Sequence, residues 1–85
     1  MQQMTNNYTI YGRDDCEFCV KAVNLCVRNG ASFSFVNMTR NEMTKEVLSE
    51  LLQVSVRTVP QVLLESRYIG GCDDLEKHFQ ANYQP

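Results

Sequence analysis

An α/β fold, with a mixed sheet of about four strands and three helices over its faces, is predicted by three features of this chain. Short β-prone segments occur at 8–11, 33–37, 62–64 and 68–69. Stretches with helical spacing or helix-start residues separate the first three and follow the last. Gly12, Gly30 and Gly70-Gly71 fall at the joins. The order is therefore strand, helix, strand, helix, strand, strand, helix (β-α-β-α-β-β-α). Its opening unit implies parallel strands with a right-handed crossover, and its last two strands imply an antiparallel hairpin.

Tyr8-Thr9-Ile10-Tyr11 suits a buried strand that Gly12 ends. Asp14 and Asp15 offer N-cap chemistry for a helix over 17–28, where Ala22 and Cys26 share a face. Asn29-Gly30 closes that helix. Phe33 and Phe35 place one face of the second strand in the core. Thr39 and Glu42 fit a capping box for a helix whose inner face would carry Met43, Val47, Leu48 and Leu51. Val62-Leu63-Leu64 is a buried third strand, Ser66-Arg67 a tight turn, and Tyr68-Ile69 a short returning strand. A last helix is expected over 73–79, with His78 in its final turn, where a cation suits the helix dipole.

At 85 residues the chain has room for one domain, over 1–85, of which 1–7 is expected to be a frayed polar lead-in. Eight basic against ten acidic residues leave a net charge of −2, which disfavours a charge-driven binder of nucleic acid or of a membrane surface. No uninterrupted apolar stretch exceeds three residues, against the roughly 20 a membrane span needs. The start of the chain lacks the basic and apolar segments of a secretory signal. A cytoplasmic, reducing location is expected, and a monomer. In such a compartment close cysteine pairs are catalytic or metal-binding more often than structural. Of Cys16, Cys19, Cys26 and Cys72, only the first two form a close pair.

Cys16-Glu17-Phe18-Cys19 follows a strand and opens a helix. Unpaired backbone N–H groups and the positive end of the helix converge there and favour a thiolate, the reactive species in disulfide exchange. Cys19 is nearly one turn on, close enough to attack a mixed disulfide on Cys16. The competing reading is half of a zinc site. Structural zinc takes four ligands, and the remaining candidates are Cys26, Cys72 and His78, with no second close pair. Cys26 reads as helix core.

Three separated segments coincide in order and spacing: Cys16-Glu17-Phe18-Cys19, Thr58-Val59-Pro60, and Gly70-Gly71-Cys72-Asp73-Asp74-Leu75. Together they resemble the glutaredoxins over 9–79. The resemblance implies a thioredoxin fold, with a cis Pro60 facing the reactive cysteine. It also implies a glutathione-dependent thiol–disulfide oxidoreductase, with Cys16 attacking and Cys19 resolving. Its substrates would be protein disulfides or protein–glutathione mixed disulfides. Carried over residue by residue, the backbone of Val59, between Thr58 and Pro60, would bond the cysteine of glutathione. Gly71, Cys72 and Asp73 would hold the γ-glutamyl carboxylate at a helix N-terminus. Arg13 and Arg57 would pair with the glycine carboxylate, and Phe18 would form an aromatic wall. The surface-charge reading of each arginine, and a purely structural reading of Asp73 and Asp74 as acidic residues suited to a helix's first turn, stand beside these. Cys72 would contribute its backbone rather than its thiol.

Glu17 and Phe18 depart from the proline and tyrosine commonest in the family. The charge of Glu17 should oppose thiolate formation on Cys16. Losing the proline opens an alternative, a [2Fe–2S] cluster held by Cys16 of two protomers and two glutathiones. A third reading is a redoxin for ribonucleotide reductase, reduced by thioredoxin reductase. The short chain is also similar to small phage glutaredoxins, which would place it in the host cytoplasm.

Overall fold

A computed structural model describes residues 7–82. The strands are β1 (Asn7–Gly12), β2 (Ser32–Asn37), β3 (Gln61–Leu64) and β4 (Arg67–Gly70), and the helices α1 (Glu17–Arg28), α2 (Lys45–Leu52) and α3 (Cys72–Asn82). The element order is the expected one. The sheet runs β2-β1-β3-β4, with β1 parallel to β2 and antiparallel to β3, and with β3 antiparallel to β4. Residues 1–6 of the expected lead-in lie outside the described residues. Asn7 does not belong to it: it pairs with Ser32, and its carbonyl accepts the Glu65 N–H at 3.0 Å.

Strand alternation divides the core in two. Tyr8, Ile10 and Val62, with Phe33, Phe35 and Leu64 half-buried, meet Ala22, Leu25 and Cys26 of α1 and Leu75 of α3. A second cluster joins Met38, Leu48 and Val56, with Tyr11, Met43, Leu52 and Val59 packed against it. Cys26 is fully buried, and burial pushes its thiol up to about 11, so it is a neutral core residue.

Four local expectations are corrected. Cys16, not Asp14 or Asp15, caps α1, because its sulfur accepts the Cys19 N–H at 3.1 Å. Thr44, not Thr39, caps α2, with its hydroxyl accepting the Val47 N–H at 3.1 Å. Residues 39–42 form a turn in which Glu42 has a φ of 53°, outside the helical range its capping-box role requires. The inner face of α2 is consequently Leu48 and Leu52, while Val47 and Leu51 are exposed. The last tight turn is one residue earlier than expected, at Glu65-Ser66, with Glu65 at a φ of 58°. Thr44→Ala is expected to lower stability by about 1 kcal/mol, the usual cost of losing a cap, measured as a drop in denaturant midpoint at unchanged slope.

His78 lies within α3 rather than in its last turn. Its Nε2 hydrogen-bonds the Tyr8 hydroxyl at 2.8 Å, and its ring packs against those of Tyr8 and Phe79. Burial, and secondarily the charge of Arg67, lower its pKa. Near neutral pH it is thus an uncharged tether between β1 and α3 rather than a cation at a helix end.

Candidate active site

The reactive pair is built by the join between β1 and α1. Cys16 is extended, with φ −122° and ψ 113°, and its sulfur sits over the first turn of α1, where free N–H groups favour negative charge. Cys16 and Cys19 are disulfide-paired with a Cα–Cα separation of 5.1 Å, inside the range a disulfide spans. Cys16 is partly exposed and Cys19 is 1% exposed, so an outside thiol or disulfide meets Cys16 first. Gly12 makes room for the buried partner. A Cβ there would stand 2.5 Å from the Cys19 sulfur and 3.2 Å from the Phe35 ring. This close approach, not the end of a strand, is what requires the glycine.

Beside Cys16, the chain from Arg57 to Gln61 carries a cis Val59–Pro60 peptide, and the Val59 carbonyl oxygen lies 3.8 Å from the Cys16 sulfur. A cleft of about 480 Å³ opens alongside, walled by Phe18 of α1, by Arg57, Thr58, Val59 and Pro60, and by Gly71, Cys72 and Asp73 at the start of α3. An exposed aromatic ring, a cation, a bend with a cis peptide and a helix N-terminus thus face one space. Arg57 and the helix N-terminus are the groups there that can pair with an anion, and Asp73 and Asp74 border the same space.

The glutaredoxin family model matches residues 8–69. The chain belongs to the glutaredoxin family. A glutaredoxin of Haemophilus influenzae is 36% identical over 72 residues, covering 79% of this chain and 83% of its own length. Among solved structures, oxidised Escherichia coli glutaredoxin superposes with a TM-score of 0.79 at 28% identity, covering 89% of this chain and 95% of that one. A buckwheat glutaredoxin–glutathione complex superposes with a TM-score of 0.74 at 25% identity, covering 89% and 71%. The four-stranded mixed sheet with three helices is the thioredoxin fold of these glutaredoxins, and the Cys16–Cys19 pair makes the chain a thiol–disulfide oxidoreductase.

Of the residues singled out in the sequence, Phe18, Arg57, Thr58, Val59, Pro60, Gly71, Cys72 and Asp73 meet at the cleft. Arg13 does not. It lines a separate recess of about 210 Å³ with Cys19, Val20, Val23 and Phe35. Cys72 is buried, and burial raises its pKa, which keeps the thiol protonated and a poor nucleophile. Among the described residues, no three His, Cys, Asp or Glu side chains converge as metal ligands, and no helix is long and apolar enough to cross a membrane. Gln61 and Tyr68 line the cleft unanticipated. A polar side chain opening a buried strand directly after Pro60 was the available signal for Gln61. Tyr68 had none, since strand spacing does not say which residue it faces across the sheet.

Proposed function

We propose that this chain reduces protein–glutathione mixed disulfides and protein disulfides with glutathione as the electron donor. One observation carries this reading. The Cys16 sulfur stands at a helix N-cap, 3.8 Å from the Val59 carbonyl, beside a cleft bordered by Arg57 and the start of α3. The Cys16 thiolate attacks the glutathione sulfur of the substrate, forming a Cys16–glutathione disulfide and expelling the protein thiolate. A second glutathione thiolate then attacks the bound glutathione sulfur. Oxidised glutathione leaves, and the Cys16 thiolate is restored. For a protein disulfide, Cys16 attacks one sulfur and expels the first protein thiolate. Cys19 then attacks the mixed disulfide on Cys16, releases the second protein thiolate and closes the Cys16–Cys19 disulfide. Two glutathiones reopen it and leave as oxidised glutathione.

In this reading Val59 offers its backbone to the cysteine of glutathione. The N-terminus of α3, through Gly71, Cys72 and Asp73, meets the γ-glutamyl carboxylate, and Arg57 meets the glycine carboxylate. Phe18 lies along the ligand. The buckwheat relative solved with glutathione supports this choice of ligand. Arg13, outside the cleft, is assigned no part in it.

The test is glutathione-dependent reduction of a small mixed disulfide, coupled to glutathione reductase and NADPH. Saturable turnover is expected, and none in a folded protein would refute the proposal. Arg57→Ala should raise KM for glutathione up to about fivefold, as expected for losing an exposed ion pair. Glu17→Gln should lower the Cys16 pKa by removing a neighbouring negative charge, followed by thiolate absorbance against pH. An unchanged titration would show that the charge of Glu17 is not felt at the sulfur.

A further inference from the structure

We propose that Gln61 and Tyr68 form a positioning relay, holding the Thr58–Val59 peptide so that the Val59 N–H is presented to the ligand. The inference rests on the glutathione reading above for what that N–H receives, though not for the relay itself. Gln61 is a polar side chain in the core, only 5% exposed. A buried amide is costly unless both its ends are paired, and here both are. Gln61 Nε2 donates to the Thr58 carbonyl at 2.8 Å, and the Tyr68 hydroxyl donates to Gln61 Oε1. The carbonyl of Thr58 can only accept, so the amide must turn its N–H₂ that way and leave its oxygen for the phenol. Tyr68 is itself 41% exposed, and partial desolvation, reinforced by the charge of Asp74, raises its pKa, so it remains a donor.

The consequence follows from peptide planarity. The Thr58 carbonyl and the Val59 N–H belong to one trans peptide unit and point in opposite directions. Fastening the carbonyl to the buried Gln61 therefore aims the Val59 N–H away from the core. Among the described residues that N–H has no hydrogen-bond partner, and Thr58 and Val59 both line the cleft. Tyr68 reaches this peptide from β4 through the first residue of β3, a connection that neither residue makes alone. Neither side chain touches the reacting sulfurs; both act through the backbone they hold.

Tyr68→Phe removes one hydroxyl, and Gln61→Met keeps the length of the side chain while removing the donor to Thr58. Each is expected to raise KM for glutathione about fivefold with kcat within about twofold, as for one lost hydrogen bond. Because both break one chain, the double variant should be no worse than the weaker-binding single. A role confined to stability would lower the melting temperature and leave KM alone. A KM within twofold of wild type for Tyr68→Phe, or multiplying effects in the double variant, would overturn the relay. The Val59 backbone amide resonance, read in the protein without ligand, gives a second measure. It should shift in both variants, and an unmoved resonance overturns the relay. If the wild type shows no glutathione saturation the glutathione reading fails, and this resonance still decides the relay by itself.

Discussion

Cys16→Ser is expected to reduce glutathione-dependent turnover of a mixed disulfide by at least roughly a thousandfold, to the uncatalysed background. The helix N-terminus lowers the cost of a negative sulfur, but a serine hydroxyl remains protonated at the same place, so no nucleophile is formed. No other cysteine can replace it. Cys19 is 1% exposed, Cys26 is fully buried, and Cys72 is held protonated by burial. Cys19→Ser separates the two exits from the mixed disulfide. Glutathione can still release Cys16, so turnover of a small mixed disulfide should persist, while reduction of a protein disulfide should slow because its resolving thiol is gone. Coupled assays on both substrates check this. Activity surviving in Cys16→Ser would remove Cys16 from the chemistry, and identical losses on both substrates in Cys19→Ser would contradict the division of labour.

Gly12→Ala is expected to disturb both stability and redox balance. The new methyl group would stand 2.5 Å from the Cys19 sulfur and 3.1 Å from its Cβ, and while the disulfide holds that sulfur only a shift of α1 or of the Phe35 ring relieves the contact. Overpacking of this kind costs about 1–3 kcal/mol. In a domain of this size each kcal/mol lowers the melting temperature by roughly 4–8 °C. The penalty should fall more heavily on the oxidised form, because the disulfide pins the Cys19 sulfur over Gly12 whereas a free thiol can rotate away. If the oxidised form bore all of it, the pair would become more oxidising by about 20–60 mV. Thermal melts of the oxidised and reduced proteins, with equilibration against a glutathione buffer, measure both effects. Equal destabilisation of the two forms would show that the clash is relieved by backbone movement instead.

The order of elements and the reactive pair were legible in the residues themselves, because each depends on contacts within one segment. Alternation marks Tyr8 and Ile10 as one face of a strand, and a cysteine at the start of a helix meets free N–H groups whatever packs behind it. The groove segments were legible only through their likeness to the glutaredoxins, since nothing in the spacing brings Arg57, Gly71 and Phe18 together. Where local signals tied, packing chose. Val47 and Leu51 have the same four-residue spacing as Leu48 and Leu52, and only contact with Met38 and Val56 turns the second pair inward. Thr39 with Glu42 satisfies the capping pattern better than Thr44 does. Yet the Met43 N–H bonds the Met38 carbonyl at 2.8 Å, closing a turn that seats Met38 in the core and delays the helix. Arg13 and Arg57 are alike as charges on the chain, and the fold sends one to the cleft and the other to a separate recess. The pairings of Tyr8 with His78 and of Tyr68 with Gln61 likewise belong to tertiary structure alone. Spacing reports which residues share a face of one element, whereas a site is made where faces of different elements meet, and that is decided by how the core closes.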